Sequence, residues 1–196
     1  MRDNLLNFRK PFPGVIRLEP AAACNLACSH CPTGTVSIKR GVMSEEIFER
    51  LLGELKSQAP LIRVVVLYHG GEPLLNRSFI RMVRAISKLG IPQIKTVSNG
   101  TLVQKENAED LLTSGLTEIE FSIDDQSKEE NDRIRRRVET ESLFRNLEYF
   151  LLRRAVVNPG LKVWISSTQF IDPPRCPLRL RPQSRLMPSI ASRSLD

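Results

Sequence analysis

With 196 residues, 41% of them hydrophobic and 26% charged, the chain suits one domain or a little more, and its apolar share is ample for a buried core. No apolar run approaches membrane-spanning length, and Met1-Arg2-Asp3-Asn4-Leu5-Leu6 lacks the apolar stretch of a signal peptide, so a reducing, cytoplasmic location is expected. Of the formal charge of +7, residues 171–196 supply +3, with Arg175, Arg179, Arg181, Arg185 and Arg193 against Asp172 and Asp196, leaving an ordinary +4 elsewhere.

Along the chain, apolar runs alternate with helical patterns. Val15–Glu19 reads as a strand, and Ser44 is placed to cap a helix through Lys56 whose Ile47, Phe48, Leu51, Leu52 and Leu55 share one face. Leu61–Tyr68, centred on Val64-Val65-Val66-Leu67, reads as a strand buried on both faces. A helix over Arg77–Leu89 follows, stopped by Gly90. Then come a strand at Gln93–Ser98, a helix at Gln104–Thr113 ended near Gly115, and a strand at Thr117–Ile123. Ser127–Val138 and Glu141–Arg154 read as helices and Leu161–Thr168 as a further strand. This βα alternation predicts a parallel sheet with helices outside.

Chemistry concentrates in Cys24-Asn25-Leu26-Ala27-Cys28-Ser29-His30-Cys31, directly after the first strand. Spacings this short suit metal ligation better than disulfides. A closed zinc site wants four protein ligands, and neither His69 nor the distant Cys176 is an obvious fourth; His30 lies between two of the cysteines. A four-iron cluster on Cys24, Cys28 and Cys31 would leave one iron open to a small molecule. Asn25, Ser29 and the loop backbone offer donors to the sulfurs.

The loop resembles the signature of the radical S-adenosylmethionine (SAM) superfamily, and further matches follow in family order over about residues 12–170. Tyr68-His69-Gly70-Gly71-Glu72-Pro73 is similar to its GGEP motif, Val97-Ser98-Asn99-Gly100-Thr101 to its TNG segment, and Phe121-Ser122-Ile123-Asp124 to its S-x-D strand end. Within the family, the Cys-Asn-x-x-Cys-x-His-Cys and GGEP-Leu-Leu words look most like the branch that often carries a SPASM-type C-terminal extension, of which there is no sign here. Each motif falls at or just beyond a strand end, where loops of an α/β barrel converge on one rim.

The resemblance implies a partial (β/α) barrel, a [4Fe–4S] cluster, reductive cleavage of SAM and hydrogen abstraction from a substrate, with peptide maturation or cofactor biosynthesis the closest classes. It also implies a flavodoxin- or ferredoxin-type electron donor; the lack of a long apolar run leaves no membrane partner expected. Gly70 and Gly71 would let backbone approach SAM, Pro73 would fix the loop, and Glu72 would accept from the cationic amino group; the bland reading of these residues is a turn with an exposed glutamate. Ser98, Asn99, Ser122 and Asp124 would suit ribose hydroxyls, Ser122 first, against roles as turn residues or caps. Alternation puts Ser122 and Asp124 on one side and Phe121 and Ile123 on the other. Arg135 matches an arginine that pairs with the methionyl carboxylate, or is a surface residue beside Arg133, Arg136 and Arg137. His30 would pack near adenine or shape the loop, and His69 would face substrate or be structural.

Five strands are countable before the pattern stops at about Phe170, one βα unit short of the usual core, so the barrel reads as truncated. Residues 1–170 form the expected core, and 171–196, rich in Pro, Arg and Ser, an expected disordered tail in which Cys176 is a free thiol. The alternatives are a non-catalytic protein that binds cluster and SAM, and zinc-dependent RNA binding. The last is disfavoured because no aromatic residues interleave with the basic patch to stack bases.

Overall fold

A parallel strand cannot meet its neighbour through a tight turn, so each connection must cross over, and a helix with one apolar face covers the sheet as it returns. The computed structural model describes residues 12–168 and has this arrangement. The strands β1 (Val15–Leu18), β2 (Val64–Leu67), β3 (Gln93–Ser98), β4 (Glu118–Ser122) and β5 (Lys162–Ser166) pair in parallel, in sequence order. The connections carry helices α1 (Pro32–Thr35), α2 (Glu45–Gln58), α3 (Phe79–Ser87), α4 (Lys105–Leu112), α5 (Lys128–Ile134) and α6 (Thr140–Val157). Because the strand order never reverses, every right-handed crossover lies on the same face and the sheet has the progression of a (β/α) barrel rather than of a doubly wound sheet.

Local chemistry sets the helix ends. The Ser44 hydroxyl accepts from the Ile47 N–H at 3.3 Å, and Glu45 and Glu46 complement the positive N-terminal end of α2. Gly90 at φ 73° and Gly115 at φ 100° turn the chain after α3 and α4. The helices bury Phe48, Phe79, Met82, Leu111 and Phe150 against Val65, Leu67, Ile94, Ile119 and Phe121 of the sheet. Phe121 and Phe150 meet edge to face, with ring centroids 5.6 Å apart.

Two expectations change. β2 alternates: Val65 and Leu67 are fully buried while Val64 and Val66 are half-buried, because their side of the sheet is the open inner face. That face also carries Lys95 and Glu118, neighbours in the register and 3.0 Å apart as an ion pair. The helix expected to run through Val138 stops at Ile134, after which Arg137 takes φ 71°. The turn frees the carbonyls of Ile134 and Arg136 to accept from Ser29 and Ala27 of the cysteine loop, a tertiary reward that overrides helical propensity. The expected tail over 171–196, with Cys176, lies outside the described residues.

Removing one ring of the aromatic pair tests the core. Phe150→Ala should destabilise the fold by about 3–5 kcal/mol, the usual cost of emptying a buried phenylalanine site, as read from chemical denaturation. A loss below about 1 kcal/mol would mean that the sheet and α6 are not packed in this way.

Candidate functional site

Beyond β1 the chain passes through Glu19 to Ala23 before reaching the first cysteine, and this short run is held on several sides. Asn76, buried, donates from Nδ2 to the carbonyls of Pro20 and Met43 at 2.9 and 3.0 Å. Glu72 N–H donates to the Ala23 carbonyl at 2.8 Å. A Cβ on Gly71 would come within 2.3 Å of the Ala21 oxygen and 2.4 Å of the Ala23 oxygen, so glycine is required there for the loop after β2 to lie flush on this run. Gly70 is clamped from both ends: its N–H donates to Glu19 Oε1 at 2.8 Å and its carbonyl accepts from Thr33 Oγ1 at 2.7 Å.

The cysteine loop is pinned next. Ala27 and Ser29 N–H groups, on either side of Cys28, donate to Arg136 and Ile134 at 3.1 and 2.9 Å, and Cys31 caps α1 with Pro32 at its first position. Cys24, Cys28 and Cys31 thereby border one cavity of about 320 Å³, at the low end of the range for small-molecule sites. His30, Gly70, Gly71, Glu72, Ser98, Asn99, Ser122 and Arg135 also line it, so most residues singled out by the motifs converge from the ends of β1 to β4.

Three details differ from simple expectation. Glu72 is not an exposed turn residue; it is 1% accessible, and its carboxylate spans two strand ends. Oε1 accepts from Leu74 N–H at 3.1 Å and from the Ser98 hydroxyl at 2.8 Å, and Oε2 accepts from Asn99 N–H at 2.7 Å. Burial pushes its pKa up from the ordinary carboxyl value, against the pull of those three donors and of Arg135. Pro73 is buried as the first residue of a 3₁₀ turn, Pro73–Leu75, whose cap is Glu72.

Asp124 shares the expected side with Ser122, yet the cavity is lined by Ser122 and not by Asp124. Its fully buried Oδ2 lies 2.9 Å from Arg135 Nε, and Oδ1 accepts from Thr168 N–H at 2.8 Å. Arg135, only 5% accessible, is therefore no surface arginine. Its Nε faces Asp124, and its two terminal NH2 groups remain as further donors in the cavity wall.

Burial pushes the Cys24 thiol up, with the Leu26 N–H at 3.5 Å and the Asn99 amide opposing, and likewise Cys28, where the Arg135 cation opposes. Among the described residues no group of three His, Cys, Asp or Glu side chains is gathered as a single-ion site. A cluster puts each thiolate on a different iron, so its ligands need not converge on one point. Sequence reasoning passed over Tyr68, Leu26, Val97 and Thr168, which line the cavity, and Glu19 and Thr33, which hold Gly70. Tyr68 adjoins the glycine motif and could have been found from it; Thr33 and Thr168 carry no sequence signal.

The family profile of the radical SAM superfamily matches residues 18–155. The chain belongs to this superfamily. The cofactors characteristic of that superfamily are a [4Fe–4S] cluster and SAM. The chain is 34% identical over 115 residues to a GTP 3′,8-cyclase of Gloeobacter violaceus, covering 56% of this chain and 34% of that one. It is 29% identical over 124 residues to an AdoMet-dependent heme synthase of Methanosarcina barkeri, covering 63% and 34%. The chain thus spans about a third of the length of these curated relatives. In fold it resembles Streptococcus suis SuiB bound to S-adenosylmethionine, with a TM-score of 0.65 at 21% identity over 83% of this chain and 35% of that one. Among the described residues no helix is long and apolar enough to cross a membrane.

The buried Asp124–Arg135 pair makes a direct test of the rim. Asp124→Ala should strand a buried cation and cost about 3–5 kcal/mol, whereas Asp124→Ala with Arg135→Met should recover much of the loss. Denaturation of both variants measures this, and equal losses in the two would show that charge burial is not the cause.

Proposed function

We propose that the chain is a radical SAM enzyme or the catalytic core of one, acting on a peptide or a cofactor precursor. The cluster would sit on Cys24, Cys28 and Cys31, and SAM in the adjoining cavity. The observation that carries this reading is the convergence of three thiols and four strand-end segments on that one cavity. The donor set fits: three soft sulfur ligands lie on one short loop, with N–H donors to sulfur beside them.

When bound, the cluster and SAM supply one-electron cleavage of a carbon–sulfur bond and a carbon radical that takes hydrogen from substrate. The protein's own part is to bind, orient and shield. Cys24, Cys28 and Cys31 ligate as thiolates, the burial cost at Cys24 being opposed by Leu26 and Asn99 and that at Cys28 by Arg135. The clamped Gly70–Gly71 backbone walls the site without side chains that would crowd a ligand. Ser122, half-buried on the inner face, offers a hydroxyl to the ribose. Arg135 offers its terminal NH2 groups to the methionyl carboxylate, steadied by Asp124. Glu72 and Ser98 hold the two strand ends in register rather than spending their polar atoms on ligand. His30 and Tyr68 both line the cavity and offer rings suited to adenine. A flavodoxin- or ferredoxin-type donor would deliver the electron.

The relatives support the substrate classes: one solved structure is SuiB bound to precursor peptide SuiA, and two relatives are a heme synthase and a GTP cyclase. Anaerobic reconstitution tests the reading. Alanine at Cys24, Cys28 or Cys31 should each abolish the brown chromophore and its iron. Ser122→Ala should keep iron content and weaken SAM binding by about tenfold, the loss of one good hydrogen bond to ligand. A chromophore that survives loss of any of the three cysteines would overturn the ligand set. A chain that binds both cofactors but never cleaves SAM with reductant would be a binding protein instead.

A further inference from the structure

Asn99, Asn25 and Thr101 form a closed ring of side-chain hydrogen bonds. Asn99 Nδ2 donates to Asn25 Oδ1 at 2.9 Å, Asn25 Nδ2 donates to Thr101 Oγ1 at 2.8 Å, and Thr101 Oγ1 donates to Asn99 Oδ1 at 2.7 Å. The orientation of the Asn99 amide is decided by a group that can only donate: the Thr101 backbone N–H lies 3.0 Å from Oδ1. With one Nδ2 hydrogen spent on Asn25, the other is directed at Cys24 Sγ, 3.7 Å away. Asn99 is 8% accessible, and its backbone N–H is fixed by Glu72, so this donor has little freedom to swing elsewhere.

We infer that Asn99 tunes the cluster through Cys24, and that Asn25 and Thr101 are positioning residues that aim it. This rests on the ligand set proposed above and departs from the ribose role that the motif resemblance suggests for Asn99. The physical reason is that N–H donors to a ligating sulfur stabilise the more negative, reduced cluster, and hydrogen bonds to sulfur are among the terms that set cluster potentials. A ring in which each member both gives and accepts polarises its members, so the Asn99 N–H is a stronger donor than an isolated amide. Cys24 receives this bond and the Leu26 N–H, so two donors lie near this sulfur. The ring also ties the cysteine loop to the end of β3, which explains why asparagine follows the first cysteine and threonine follows Asn99-Gly100.

The test is a redox titration of the reconstituted full chain without SAM, followed by electron paramagnetic resonance, with SAM affinity measured separately. Asn99→Ala should make the cluster harder to reduce by about tenfold in the equilibrium, which is 59 mV for a one-electron couple. Thr101→Val, which keeps the backbone N–H but removes the ring's hydroxyl, should shift the potential in the same direction, and Thr101→Ser should restore it. SAM affinity should stay within about twofold in all three. Should Asn99→Ala fail to fold, the two Thr101 variants carry the test alone. An unchanged potential with weakened SAM binding would overturn the inference in favour of a ribose contact, and no change in either would make the ring merely structural. A native chain that takes up no cluster would overturn the ligand set itself, before any variant is compared.

Discussion

A carboxylate sealed from water is costly unless donors replace its hydration, and the site depends on one that is replaced well. Glu72 receives two N–H groups and a hydroxyl, drawn from its own 3₁₀ turn and from the end of β3, while its backbone N–H grips the run leading to Cys24. Three segments far apart in sequence therefore meet around one residue. Each bond in isolation would contribute little; buried together, the set fixes which strand ends face one another.

Around that point the cysteine loop is held from two directions. The run before it lies against Gly71, which only a glycine permits, and its middle hangs from the carbonyls that α5 exposes by stopping early. Arg135 lies between those two carbonyls in sequence, so the same turn that supports the loop delivers a cation beside Cys28. Asp124 then anchors that cation and, through Thr168, ties it to the segment after β5. Structural support and site electrostatics are here the same contacts, which is why Glu72, Ser98, Asp124 and Arg135 are all buried.

Much of this was legible beforehand. Each strand was visible as an apolar run, and Ser44, Gly90 and Gly115 announced helix ends because capping and left-handed turns are local chemistry. The convergence of motif segments on one rim followed from their positions at strand ends. The uses of individual side chains were less legible. Glu72 and Asp124 were legible as site residues, but not that Glu72 also accepts from Leu74, Ser98 and Asn99, or that Asp124 faces Arg135 and Thr168. A motif shows that a residue type is needed at a place; which partner needs it depends on contacts across tens of residues. The early end of α5 was invisible for the same reason, since its cause lies in Ala27 and Ser29.

The most direct measurement is made on Glu72→Gln, which keeps the shape but turns one acceptor oxygen into an N–H donor facing other donors. If Glu72 is the tie between strand ends, stability should fall by about 2–4 kcal/mol, and iron uptake after anaerobic reconstitution should fall with it, because the cysteine loop loses its support. Native stability and full iron content, with SAM affinity alone lost, would contradict this account and make the carboxylate a ligand for the amino group of SAM.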